Sequence, residues 1–371
     1  MRHTRGRTVD VASLDELDRR LARGARTLSG WRVRGLDLRE RGHELRGCRL
    51  AGATFFGCTF ADGDAERVEA DGALVLPELG ATPVDAYRAD LYTALELYDA
   101  PRWADSLDGR AYAWSQDGAG GTGVEERPGE AALARTLHDH AIDVALHRWR
   151  TEHRLVGVMG GHSAARDDRT YSDAARLGHL LGGPLTVATG GGPGAMEAAN
   201  LGARLAHLPA EAVEESLARL AAVPSYRPSV DAWAMSAFDV CAATEGATDN
   251  LAIPTWHYGH EPPGVFATAI AKYFRNATRE AILLEVCDAG IVFLPGAGGT
   301  VQEIFQDACE NYYADEGSVA PMVLVGVQHW TEDLPAWPLL QALARGRGME
   351  PHVHLVDTVE EAAEVVLSTS A

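Results

Sequence analysis

The stretch Leu185-Thr186-Val187-Ala188-Thr189-Gly190-Gly191-Gly192-Pro193-Gly194-Ala195-Met196-Glu197 decides the fold. An apolar run of strand length passes directly into four glycines and a proline, and then into a helical pattern over 195–206. Glycine lets the backbone turn tightly and approach a ligand, and proline suits the first turn of a helix. Thr189, Gly190, Gly191, Gly192, Gly194, Ala195 and Met196 therefore form a candidate phosphate site, because the N–H groups and dipole of a helix start attract an anion. The spacing Gly190-x-Gly192-x-x-Ala195 also fits the dinucleotide fingerprint. No clear second strand ends in an acidic residue about 20 positions on, where that fingerprint wants its ribose ligand. A tight strand–helix turn with no ligand is the alternative.

Working outward, the same alternation recurs. Short apolar runs lie at 155–159, 185–188, 291–294, 322–327 and 353–356, with helical patterns at 171–181, 195–206, 266–285 and 301–312. Buried strands alternating with helices imply an α/β fold, a doubly wound and mostly parallel sheet of Rossmann-like type. Ligands of such sheets sit outside the carboxyl ends of the strands. A second glycine cluster, Pro295-Gly296-Ala297-Gly298-Gly299-Thr300-Val301-Gln302-Glu303, follows one strand and opens the next helix. Thr300 and Glu303 have the T-x-x-E spacing of a capping box, which on spacing alone outweighs a functional reading of Glu303. The first strand of the domain ends in Gly160-Gly161-His162-Ser163, a candidate ribose or phosphate contact through Ser163, or a plain tight turn. On the 266–285 helix pattern, Lys272, Arg275 or Asn276, and Arg279 share a face, either facing a phosphate or solvated; Arg279 is the favoured candidate. His257, His260 and Glu261 lie in a Pro-rich loop without an evident third ligand, so a pocket wall is preferred to a metal site and no metal is expected.

The formal net charge of −20 disfavours a nucleic-acid polymer or anionic membrane as partner, though not a small anion held by local dipoles. Lys272 is the single lysine of the 371 residues and is not in a G-x-x-x-x-G-K-[ST] context, which excludes a Walker A loop. It also leaves pyridoxal-phosphate chemistry one possible Schiff base, and no cofactor is expected. Five scattered cysteines without a C-x-x-C pair, no signal-peptide pattern and no apolar run of spanning length lead to an expectation of a cytoplasmic protein.

The N-terminal region reads differently. Leu45, Leu50, Phe55 and Phe60 recur every fifth position, with His43, Cys48, Ala53 and Cys58 two places earlier. This resembles one coil of a pentapeptide repeat, and a small β-rich subdomain is the alternative. The expected organisation is a pentapeptide-repeat-like subdomain at 1–80, a connecting region with a Gly-rich loop (118–123) and a helix at 81–150, and the nucleotide-binding domain at 151–371.

Taken together, the motifs of residues 150–330 resemble the LOG family, the "lysine decarboxylase-like" proteins that include cytokinin-riboside-monophosphate phosphoribohydrolases and nucleotide 5′-monophosphate nucleosidases. The family's P-G-G-x-G-T-x-x-E is matched by Pro295 to Glu303, with Ala297 in place of its second glycine and Gly298 at its variable position. The family's arginine, nine residues before an aspartate, is matched by Arg279 and Asp288; its upstream phosphate loop by Thr189 to Met196; and its opening strand and G-x-S by 156–163. The resemblance implies hydrolysis of the N-glycosidic bond of a nucleoside 5′-monophosphate to free base and ribose 5-phosphate. Glu303 would act on water or the cationic sugar, and Arg279 would hold phosphate or sugar. It also implies a homodimer. A nucleotide-binding sensor without turnover is the principal alternative, and a nucleotide-dependent transferase a third.

Overall fold

The computed structural model describes residues 8–80, 82–116, 129–258, 261–315 and 317–370. The Gly-rich stretch at 118–123 lies outside the described residues. Two compact units emerge, one drawn from 1–89 and 120–141, the other from 90–119 and 142–371.

In the first unit, strands β1 (Val9–Val11), β2 (Trp31–Arg34), β3 (Thr54–Phe56) and β4 (Leu74–Leu76) form one parallel sheet in sequential order. Helices α1 (Leu14–Ala22), α2 (Gly42–Arg46) and α3 (Asp64–Ala70) lie between them in the chain. Leu45, Leu50 and Phe55 are buried, and Phe60 packs on the same core, edge-to-face with Phe55 at 5.5 Å. The five-residue spacing marks inward side chains, and Val9 pairs with Trp31, Arg32 with Thr54 and Thr54 with Leu74, so successive turns of chain stack in parallel. Leu45 sits in α2, Leu50 in a loop and Phe55 in β3, so one side-chain period is served by three backbone conformations.

The second unit follows α4 (Ala94–Leu97), α5 (Leu107–Gln116) and the later part of α6 (Glu130–Arg150). Its strands are β5 (Leu155–Met159), β6 (Thr186–Thr189), β7 (Leu251–Ala252), β8 (Ala269–Ile270), β9 (Ile291–Phe293), β10 (Met322–Val325) and β11 (Val353–Val356). Between and after them run α7 (Arg169–Gly182), α8 (Ala195–Arg204), α9 (Ala210–Leu220), α10 (Val230–Ala243), α11 (Asn276–Glu285), α12 (Gly298–Tyr313), α13 (Ala336–Ala344) and α14 (Val359–Ser370). All seven strands are parallel, in the order β11-β10-β9-β5-β6-β7-β8. The chain winds outward one way from β5 through β8 and then returns to the other side of β5 at β9. This is the doubly wound Rossmann-like arrangement, and its switch point lies between β5 and β9. The strands Leu155–Met159, Ile291–Phe293 and Met322–Val325 are buried at every position, as a sheet covered on both faces requires.

The structure departs from the expected helix over 266–285. The pattern at 266–285 is not one helix. Its first half contains β8, which pairs with β7, and Ile270 also bridges Tyr92. The helix starts at Asn276, with Arg275 as its N-cap residue. Phe266, Ile270, Ala271 and Tyr273 are fully buried, so an all-apolar run satisfied helical and strand periods equally. Lys272 consequently leaves the basic stripe. It is buried and donates to Asp108 Oδ1, which also accepts from the Trp256 indole at 2.8 Å, while Oδ2 accepts from the Trp103 indole at 2.8 Å. A buried ammonium is tolerable only with such a partner.

The position of α8 is set by its contact with α7. A methyl group at Gly178 would strike the Ala199 carbonyl oxygen, one at Gly202 the Ala175 carbonyl oxygen, and one at Gly182 would approach Ala203 Cα to 2.8 Å. Backbone meets backbone along this seam, which aims the start of α8 at the carboxyl edge of the sheet. Gly178→Val or Gly202→Val is expected to lose about 3 kcal/mol or to prevent folding, read from urea midpoints. Gly183→Ala, where a methyl meets nothing within 4 Å, is expected to be neutral or slightly stabilising.

Candidate functional site

Three loops leave the carboxyl ends of β5, β6 and β9 side by side, and their contacts demand glycine. Gly191 (φ 70°) and Gly194 (φ 75°) occupy the left-handed region. A Cβ at Gly194 would lie 2.6 Å from the Gly161 carbonyl oxygen, and the Ala195 N–H donates to that same oxygen at 3.2 Å. Behind the loop runs a buried polar chain. Gly191 N–H donates to Thr189 Oγ1 (3.0 Å), Thr189 donates to Asn200 Oδ1 (2.6 Å), and Asn200 Nδ2 donates to Asn250 Oδ1 (2.8 Å) and the Leu251 carbonyl (3.2 Å). The chain ties β6, α8 and the start of β7 together.

The three loops open on a cavity of about 680 Å³. Of the residues singled out from sequence, it is lined by Gly160, Gly161, Ser163, Gly190, Gly192, Met196, Arg279, Pro295, Gly296, Ala297, Gly299, Thr300 and Glu303. Thr189, Gly191, Gly194, Ala195 and Gly298 are not among its lining; the first four support the loop from behind or beneath. The sequence reading did not place Glu280, Gln302 or His329 here, and nothing in their local pattern marks them. In the loop at 256–263, Tyr258 and Glu261 reach the cavity and His257 does not, while His260 lies outside the described residues. No group of three potential ligands that could hold a metal occurs among the described residues.

The α12 start is built differently from a capping box. The helix begins at Gly298, with Ala297 as N-cap residue and no side-chain cap. Thr300 is the third helical residue, and Glu303 lies in the second turn, so its carboxylate is not spent on the helix end. The first backbone bond of the helix runs from Val301 N–H to the Ala297 carbonyl at 3.0 Å. The N–H groups of Gly298, Gly299 and Thr300 therefore have no helical acceptor, the arrangement that attracts an anion. Gly296 must be glycine because the Thr300 side chain folds over it, and its carbonyl accepts from His329 Nε2 at 3.0 Å. Ala297 has φ −119°, ordinary for any residue, and is exposed, so the alanine there strains nothing.

Arg279 is buried on α11. Its Nη2 donates to Asn276 Oδ1 (2.9 Å) and Glu280 Oε1 (3.3 Å), while Nε has no hydrogen-bond partner. Glu280 also accepts from Asn276 Nδ2 (2.6 Å) and, through Oε2, from Gln302 Nε2 (2.8 Å), which fastens α11 to α12. Burial pushes the Glu303 carboxyl up to about 7; Arg279 opposes this shift and Glu280 adds to it. The result is a carboxylate that exchanges protons near neutrality, in a cavity with a guanidinium and an open helix start. One turn further along α12, Asp307 is buried, its Oδ2 unpartnered, and burial with the Glu310 charge pushes its carboxyl up to about 8.

Asp307 makes the fold pH-sensitive in a defined direction. An acid raised from about 4 to about 8 on folding costs nothing below pH 4 and progressively more as pH rises towards 8. Asp307→Asn is expected to gain stability over the parent protein through that window, by up to about 5 kcal/mol at pH 8, and to differ little at pH 4. Thermal melts of both proteins from pH 4 to 9 check this; parallel curves contradict it.

No protein-family model matches the chain, and no curated protein does. Among solved structures, the chain is similar to a molybdenum cofactor binding protein from Rippkaea orientalis, at 18% identity and TM-score 0.38 over 59% of this chain and 98% of that one. It is also similar to the molybdenum cofactor carrier protein of Chlamydomonas reinhardtii (16%, TM-score 0.36, 58% and 97%). A third similar structure is the structural-genomics target TM1055 (15%, TM-score 0.34, 58% and 99%).

Proposed function

We propose that the second unit binds a nucleoside 5′-monophosphate in this cavity and hydrolyses its N-glycosidic bond to free base and ribose 5-phosphate. The observation that carries the reading is Glu303, a partly buried carboxyl near neutral pKa, one turn inside the open N-terminus of α12 and in the same cavity as Arg279. The phosphate fits the N–H groups of Gly298, Gly299 and Thr300, where dipole and donors converge. Arg279 takes the sugar hydroxyls or a phosphate oxygen through Nη1, which places the anomeric carbon by binding energy remote from the reaction. Glu303 then takes a proton from the attacking water, and its negative charge favours the oxocarbenium-like transition state. Gly190, Gly192 and Ser163 close the remaining wall. The resemblance of the Pro295–Glu303 pattern to nucleotide nucleosidases supports the same assignment.

The test is chromatographic. Nucleoside 5′-monophosphates should release base and the matching nucleosides should not. Glu303→Gln is expected to lower kcat by a factor of about 100 or more, and Arg279→Ala to raise KM and lower kcat together. The base must be ionised, so kcat/KM should fall about tenfold per pH unit below 7. The charged groups facing Glu303 are Arg279 and Glu280 of α11, with His162, Glu261 and His329 around the cavity. Full activity in Glu303→Gln would refute the assignment; tight binding without release would move the reading to a sensor.

A further inference from the structure

Arg279 and Glu303 line one cavity, yet they are not paired with each other. Among the described residues, no hydrogen bond or ion pair reaches the Glu303 carboxyl. The guanidinium is committed elsewhere. Its Nη2 donates to Asn276 Oδ1 at 2.9 Å and to Glu280 Oε1 at 3.3 Å. Its Nη1 lies against the glycine loop, 3.3 Å from where a Cβ of Gly190 would stand. Glu280 is in turn held from both helices, by Asn276 Nδ2 of α11 at 2.6 Å and by Gln302 Nε2 of α12 at 2.8 Å. Two carboxyl groups thus compete for one arginine, and the one fastened by two amides has it. An arginine turned towards Glu303 would stabilise its ionised form and weaken it as a base.

We propose that Glu280 is a positioning residue of this site: by engaging Arg279 it keeps the guanidinium off Glu303, leaving Glu303 open to a proton and Nη1 open to the ligand. This rests on the nucleotide reading above for what Glu303 does to a substrate, while the pairing itself needs none. Glu280 touches neither the attacking water nor the sugar in that reaction; it acts through its neighbours. Its two effects have one sign. Its own negative charge opposes ionisation of Glu303, and its bond to Nη2 holds back the positive charge that would favour it. The other titratable groups near Glu303 are His162, Glu261 and His329 around the cavity and Asp307 one turn along α12; Arg279 and Glu280 are the two whose charges act on its proton affinity. Gln302 precedes Glu303 on α12, so the amide that fixes Glu280 does so beside the group it protects.

The experiment is a carbon-13 NMR titration of the full-length protein labelled at its glutamate carboxyls, with the Glu303 signal assigned by its loss in Glu303→Gln. In the parent protein Glu303 should titrate at about 7. In Glu280→Ala the midpoint should fall by at least about one pH unit, because an opposite charge within ion-pairing reach lowers a carboxyl by about 1–3 units. Glu280→Gln keeps the shape and removes the charge. It should move the midpoint the same way, and it carries the test if the alanine variant fails to fold. An unchanged or raised midpoint overturns the proposal, and so does an ordinary carboxylate midpoint in the parent protein. Base release from nucleoside 5′-monophosphates is followed in parallel, and the acid limb of kcat/KM should move down with the NMR midpoint. A lowered midpoint with no base release from the parent protein would refute hydrolysis and leave the pairing in place. Base release with an unmoved midpoint would do the reverse.

Discussion

The candidate site depends on one steric constraint, the approach of Gly194 to the Gly161–His162 peptide. No residue with a side chain fits there, because a Cβ would stand 2.6 Å from the Gly161 oxygen and the backbone is left-handed. The hydrogen bond from Ala195 N–H to Gly161 closes the same contact. Through it, the loop after β5 and the start of α8 become one surface, and the glycine-lined seam between α7 and α8 holds that surface at the carboxyl edge of the sheet. The loop after β9 joins from the far side of the switch point, bringing Ala297 to Glu303 opposite. A doubly wound sheet supplies the edge; the glycines allow three loops to share it.

Electrostatics then distinguishes this cavity from a passive turn. Backbone donors at α12 offer positive potential without a basic side chain, while Glu280 is paired with Arg279 and Glu303 lines the same cavity. Burying Glu303 beside Glu280 destabilises its ionised form, and the same desolvation acts more strongly on Asp307 one turn on. Like-charged groups retained in a buried setting reduce stability, and sites of reaction are where such arrangements concentrate. Lys272 shows the contrasting case. Its charge is answered by Asp108 within two indole donors, an arrangement that holds structure rather than ligand.

Much of the sheet was legible because its strands are short, apolar and bounded by glycine. Leu155–Met159 and Val353–Val356 agree with the expectation to the residue, and the glycine clusters fall at strand ends as read. The strands β7 and β8 were not legible, being two residues each and defined by pairing across the sheet rather than by any local pattern. Lys272 looked like part of a helical stripe because its partner Asp108 is 164 residues away in sequence. The T-x-x-E spacing was ambiguous for a physical reason: a capping box and a helix already two residues under way put the same residue types at the same interval. Only the Ala297–Val301 backbone bond separates them. In the N-terminal unit the five-residue period marks burial at Leu45, Leu50 and Phe55, while the backbone passes from helix to loop to strand.

The most direct test of the account is a crystal structure of the protein soaked with ribose 5-phosphate, the fragment common to every substrate of the proposed class. The account predicts the phosphate at the N–H groups of Gly298, Gly299 and Thr300, with the sugar between Glu303 and Arg279. A phosphate bound elsewhere, such as the adjoining cavity beside Tyr226 and Arg227, with the α12 start unengaged, would contradict it.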